Sequence, residues 1–160
     1  MRTRYLRTDQ IYDFNSLQYF PPHLTTYDPA NKRFFVSNLS LNRIDVFDAT
    51  SEIQIASITV PSPFGLDVAP DGNTLYAATT FGDLYIIDPN GLAVTQRVPG
   101  ATIGPNGYSP SQVYVLADGD LAMLGQGGGQ SVDGAYSFAI WNQSTNNLSI
   151  VSAGNLGTKT

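Results

Sequence analysis

The feature that most restricts the possible folds of this chain is an internal repeat. Tyr27-Asp28-Pro29-Ala30-Asn31-Lys32-Arg33-Phe34-Phe35-Val36-Ser37 aligns with Val68-Ala69-Pro70-Asp71-Gly72-Asn73-Thr74-Leu75-Tyr76-Ala77-Ala78. Pro29 meets Pro70 and Phe35 meets Tyr76, an offset of 41 residues. Ile44-Asp45-Val46-Phe47-Asp48 then meets Leu84-Tyr85-Ile86-Ile87-Asp88 at an offset of 40, as deletion of one loop residue would produce. A recurring unit of this size is one supersecondary element that stacks on its copies to hide its apolar faces.

Each unit reads as four short strands, over 24–27, 33–38, 43–48 and 52–60 in the first and over 66–69, 74–79, 83–88 and 92–98 in the second. Asp71-Gly72-Asn73 and Asp88-Pro89-Asn90-Gly91 supply the positive-φ residues and Asx acceptors that tight hairpins need. No stretch shows a sustained helical period. Phe34-Phe35-Val36 and Leu84-Tyr85-Ile86-Ile87 are apolar at every position, the pattern of a strand covered on both faces. The fourth strand of the second unit alternates, with Leu92, Val94 and Val98 in one phase and Thr95 and Arg97 in the other, which marks a half-exposed outer strand. In the first unit Ile53 and Ile55 share one phase and Ile58 and Val60 the other, so a bulge is expected near Ala56.

Four-stranded sheets with covered middle strands and an exposed outer strand stack radially. The fold class expected is therefore all-β, made of β-propeller blades of four antiparallel strands. A third, looser unit has strands over 112–116, 121–124, 137–141 and 148–151, with Asp118-Gly119-Asp120 echoing Asp71-Gly72-Asn73 at an offset of 47. Ile11-Tyr12-Asp13 resembles Val46-Phe47-Asp48, and 16–20 then reads as a short outer strand of an earlier blade. The expected division is 1–23 as a partial preceding blade or N-terminal arm, 24–61 and 62–99 as one blade each, 100–152 as an enlarged, degenerate blade and 153–160 as a tail. At about 40 residues per blade the chain makes an incomplete propeller of about three blades and a partial one. Such an arc leaves apolar blade faces open, so the expected partners are other blades of the same longer chain, or a second copy of the chain.

Charge narrows the function. Residues 1–43 carry six basic and three acidic groups, net +3, whereas 44–160 carry two basic and ten acidic groups, net −8. The acidic body repels phosphate backbones, so no nucleic-acid partner is expected. No apolar run is long enough to span a membrane. Thr8-Asp9-Gln10 stands where the apolar part of a signal peptide would begin, so none is expected in this chain. The absence of cysteine excludes disulfides and leaves the redox compartment open.

The repeat resembles the YVTN-type β-propeller family, a relative of NHL and quinoprotein-like propellers. Phe35-Val36-Ser37-Asn38 and Leu75-Tyr76-Ala77-Ala78 match its name-giving second strand, and Ala69-Pro70-Asp71-Gly72 the turn before it. Val46-Phe47-Asp48-Ala49-Thr50 and Ile86-Ile87-Asp88-Pro89 match the third strand and its exit. The match is good over 24–98 and weak over 111–151. The resemblance implies a bacterial protein at an extracellular or cell-surface location, and a propeller of about seven blades, within the general range of blade numbers. It assigns no activity, although some relatives are lactonases.

The residue inventory contains no convergent catalytic set. His23 is the single histidine, too few for a multi-histidine metal site. The loop Gly125-Gln126-Gly127-Gly128-Gly129-Gln130 lacks the Lys-Ser/Thr of a phosphate cradle. Asp48 and Asp88 stand at strand exits, where aspartate stabilises turns. A calcium-dependent lactonase of the gluconolactonase type would need a glutamate on an inner strand, and the only glutamate, Glu52, falls on an outer one. Trp141 occupies the place of Phe47 and Ile87 and is expected in the core. No catalytic residue, metal or cofactor is expected. The expected function is a non-enzymatic binding or scaffold segment, with part of a lactonase-like hydrolase as the alternative. The contact surface is expected on the loops of one rim, 38–42, 61–64, 79–83 and 99–107, because rigid scaffolds carry function on loops. Asn38, Asn42, Phe64, Phe81 and Asp83 are the candidate ligand-binding residues there, for a protein or carbohydrate ligand.

Overall fold

A computed structural model describes residues 24–103, 109–126 and 136–153. The expectations for 1–23, His23, most of the glycine-rich loop and the tail lie outside these residues. Among these described residues twelve strands form three four-stranded antiparallel sheets. The first blade is β1 (Thr25–Asp28), β2 (Arg33–Asn38), β3 (Arg43–Asp48) and β4 (Gln54–Thr59). The second is β5 (Pro63–Val68), β6 (Leu75–Thr79), β7 (Leu84–Asp88) and β8 (Ala93–Val98). After one helical turn, α1 (Gly100–Ile103), the third is β9 (Ser109–Val115), β10 (Leu121–Gln126), β11 (Tyr136–Asn142) and β12 (Asn147–Ala153). Strands in each sheet follow chain order from the inner strand outward. β1 and β2 pack on β5, and β5 and β6 pack on β9, so the sheets stack face to face as blades around their inner strands.

The middle blade shows why its strands are apolar throughout. Leu75, Ala77 and Ile87 face the first blade and meet Phe35, Ile44, Val46, Ile58 and Val60. Their sequence neighbours Tyr76 and Ala78, with Leu84 opposite Ala78, face the third blade and meet Val113, Leu121, Met123, Ala139 and Trp141. The period-two alternation of a strand thus sends successive side chains into two different cores. Each large aliphatic or aromatic side chain buried this way contributes about 1.5–3 kcal/mol. Trp141 lies in the second of these cores, and its Nε1 donates to Asn146 Oδ1 at 3.1 Å.

Aspartates organise the turns at one end of the blades. Asp48 Oδ1 accepts from the backbone N–H of Thr50 and Ser51, Asp71 Oδ1 from Asn73, Asp88 Oδ1 from Asn90 and Asp118 Oδ1 from Asp120. Gly72 takes a φ of 71° in its turn and abuts Ala30 and Asp28 of the neighbouring blade. Backbone hydrogen bonds hold three of these carboxyls below the usual aspartate range: from Ser51 to Asp48, from Asn73 to Asp71, and from Gly91 and then Asn90 to Asp88. A folded pKa below the unfolded one contributes stability above the unfolded value, about 3.9, which is lost as the pH falls through the folded value. Hydrogen exchange between pH 5 and pH 2 is therefore expected to show these turns losing protection below about pH 4, with protection unchanged above it.

The strand assignments hold in all three units, with three differences of detail. The bulge expected near Ala56 is present, since Val46 pairs with Ala56 but Phe47 with Gln54, leaving Ile55 extra. A second bulge in β8, where Ile86 pairs with Gln96 and Ile87 with Val94, overturns the single phase read for that strand. Leu92 packs toward the first blade and Val98 toward the third, on opposite sides of the slip, and Val94 is exposed. Phe34 is not covered on its face but exposed, stacked on Tyr27 with ring centroids 4.8 Å apart, because it lies on the side of the first blade away from the second. Finally, β5 begins at Pro63 and β9 at Ser109, earlier than read, since a shift of register lets the irregular segments Pro63–Leu66 and 109–112 still pair.

Candidate functional site

The expected rim loops, apart from 104–107, which lie outside the described residues, cluster at the end of the blades opposite the aspartate turns, tied to one another by hydrogen bonds. Asn42 takes a φ of 51° in the β2–β3 turn, and its Oδ1 accepts from Ser62 N at 2.9 Å. Ser62 O accepts from Thr80 N at 3.1 Å, which couples the link between blades to the β6–β7 turn. In that turn Gly82 N donates to Thr79 O and Asp83 N to Thr79 Oγ1. Gly82 lies hard against Ser109, and Gly100 against Gly82, so the third blade fixes the turn from the other side.

The five candidate residues are used differently within this frame. Asn38 is buried: its Nδ2 donates to Asp45 Oδ2 at 2.8 Å and its Oδ1 accepts from Leu41 N, so it braces the β2–β3 turn. Asn42 is exposed, but its carboxamide oxygen is engaged by Ser62. Phe64 sits in strand β5 and not in a loop, and its carbonyl accepts from Ser37 Oγ of the first blade at 2.8 Å. The reason is the register shift at Pro63–Leu66, which the polar loop signals around Pro61 and Ser62 do not reveal. Asp83 pairs with Arg97 at 2.7 Å and accepts from Gly100 N at 3.1 Å. The carboxylate in turn holds the Arg97 guanidinium more firmly charged. Phe81 stands apart, with 74% of its surface exposed at the tip of the fixed turn.

Leu41 was overlooked by the sequence reading, although the repeat contains the signal. It precedes Asn42 as Phe81 precedes Gly82, each of these pairs ends in a residue of positive φ, and both side chains are exposed apolar tips. Asp67 is the second omission. It lies on inner strand β5 and bridges all three blades, its Oδ1 accepting from Thr26 Oγ1 at 3.3 Å and its Oδ2 from Val115 N at 2.8 Å. Burial, and then the charge of Asp67, push the Tyr114 hydroxyl above its ordinary value. Thr26, Asp67 and Tyr114 occupy matching positions on the three inner strands, but residue types this different leave no visible pattern in the sequence. No group of three or more His, Cys, Asp or Glu able to hold a metal ion occurs among the described residues.

No protein-family model and no curated protein matches the chain. Solved structures do match. Hydrazine synthase of Kuenenia stuttgartiensis is similar over 79% of this chain and 36% of that one, with a TM-score of 0.64 and 19% identity. The structure of U3-55K is similar over 79% of this chain and 35% of that one, with a TM-score of 0.60 and 12% identity. The chain spans about a third of the length of either structure, and at these identities the likeness concerns the fold alone. The arrangement of three stacked four-stranded sheets, shared with these propeller-type proteins, makes this chain an arc of β-propeller blades.

Proposed function

We propose that the chain is a non-enzymatic binding and scaffold segment of a longer β-propeller protein, and that it binds a partner through the rim carrying Leu41 and Phe81. The observation that carries this reading is the exposure of Phe81 on a turn held rigid from both sides. An aromatic side chain on a backbone already fixed loses only its own two-torsion freedom on binding and buries a large area, which makes it a strong anchor. The polar side chains beside it, Asn42 and Asp83, are bonded to Ser62 and to Arg97 and Gly100. A sugar would need such groups as hydrogen-bond partners, so the rim favours an apolar patch on a protein over a carbohydrate. The finer assignment to the YVTN type, and with it a bacterial, extracellular or cell-surface protein, rests on the sequence resemblance.

A photoreactive phenylalanine analogue at position 81 tests the reading in the native cells, with the same analogue at the exposed position Ile53, just before outer strand β4, as the control. One saturable protein adduct is expected at 81 and none at 53. Excess wild-type chain should compete it, and the Phe81→Ser chain should compete at least about tenfold less well. Phe81→Ser should itself leave stability within about 0.5 kcal/mol, since the ring is surface-exposed. Equal capture at both positions, or competition by Phe81→Ser as good as wild type, rejects the rim as the contact face.

A further inference from the structure

We propose that the face of the third blade turned away from the second is an interblade interface, and that its occupant is a further four-stranded blade of this repeat, following in a longer polypeptide. This rests on the reading of the chain as an arc of a longer propeller and is independent of the role of the rim. The face is built from paired residues of β10 and β11: Ala122 opposite Ile140 and Leu124 opposite Phe138. Their neighbours Leu121, Met123, Ala139 and Trp141 point to the second blade, so these four point the other way. No further sheet among the described residues packs on them.

Two interfaces of the same construction already exist in the chain. In the first blade the corresponding pairs are Phe35–Val46 and Ser37–Ile44, whose apolar members are buried against the second blade. In the second blade they are Tyr76–Ile86 and Ala78–Leu84, packed against the third. The third blade offers the same positions with apolar side chains throughout, so the established interface continues by one more step. The chemistry of the occupant follows from what the second and third blades present to the blade before them, an uncharged surface such as Leu75, Ala77, Tyr85 and Ile87.

A second copy of the chain is a poor occupant. Its matching surface would be the side of the first blade away from the second. There Asp45 stands where the other blades have Tyr85 and Ala139. Asp45 is fully buried and accepts from Asn38 Nδ2, Arg43 Nε at 2.6 Å and Gln54 Nε2 at 3.0 Å. Leu124 and Phe138 would meet a salt-bridged carboxylate network and not an apolar surface, and such a mismatch disfavours head-to-tail assembly.

The test extends the full chain after residue 160 with a copy of residues 62–99, whose outer face is of the required kind. Hydrogen exchange at the amides of Ala122, Leu124 and Ile140 is the readout, and circular dichroism checks that the added unit folds. The extension is expected to slow exchange there by about tenfold or more. Leu124→Lys should abolish that gain while leaving exchange in the 160-residue chain close to wild type. Should the lysine disturb β10 locally, Ile140→Thr is read in the same way. The proposal is overturned if a folded extension gives no protection, or if both substitutions unfold the unextended chain, since the face is then already filled. It is equally overturned if the unextended chain sediments as an oligomer that Leu124→Lys disperses, which would assign the face to a second copy.

Discussion

Gly65→Val is expected to lower the stability of the chain by about 3 kcal/mol, with urea midpoint and hydrogen exchange as the measurements. A Cβ at position 65 would fall 2.6 Å from Gln112 Cα and 2.6 Å from Ser111 O. Both are backbone atoms of β9, which cannot rotate away as a flexible side chain can. The substitution therefore forces the inner strands of the second and third blades apart, and exchange should rise in β5 and β9 together while β1–β4 are affected less. Gly119→Ala is the control. Gly119 has a positive φ of 88° but nothing within 4 Å of its would-be Cβ. It should lose only about 1 kcal/mol, from backbone strain. Equal losses at the two positions would show that close approach of the blades is not what Gly65 serves.

Asp28→Ala is expected to cost about 3–5 kcal/mol. Asp28 is fully buried and accepts from Ala30 N at 3.0 Å, Asn31 N at 3.1 Å, Asn31 Nδ2 at 2.8 Å and Arg33 Nη2 at 3.3 Å. Arg33 crosses to the second blade, donating from Nη1 to Pro89 O at 2.7 Å and from Nη2 to Asn90 Oδ1 at 2.9 Å. Its buried Nε has no hydrogen-bond partner among the described residues. Removing the carboxylate takes away the neutralising charge of a guanidinium with 11% of its side chain exposed, and releases the β1–β2 turn at the same time. The double variant Asp28→Ala, Arg33→Met should recover a substantial part of the loss, because the penalty comes from the buried charge left behind. A double variant as unstable as the sum of the single ones would mean that the pair is not coupled.

These two sites mark where sequence reading succeeds and where it stops. The strands, their order within each unit and the bulge beside Ala56 were legible because each rests on local periodicity or on comparison of two copies. The aspartates at strand exits were legible because an Asx turn forms within a few residues of its own side chain. Asn38 and Asn42 were placed on the correct turn, but their side chains brace it, and only the folded chain brings Asp45 and Ser62 to them as partners. Phe64 was misplaced because a register shift is invisible in the residues it affects. Asp67 was missed because its partners Thr26 and Val115 are brought to it by stacking of separate blades.

By itself the sequence determined that this chain folds as repeated four-stranded sheets, since hydrophobic alternation and turn residues act over a few positions and recur in each unit. Only the tertiary structure decided which side chains face which neighbour and which polar groups on the rim are already engaged. It also distinguished the two outer faces of the arc, one holding a buried carboxylate network and the other apolar. The physical reason is that blade-to-blade contacts join residues far apart in the chain, 27 positions between Ser37 and Phe64 and 56 between Arg33 and Pro89, and no local pattern records the partner across such distances.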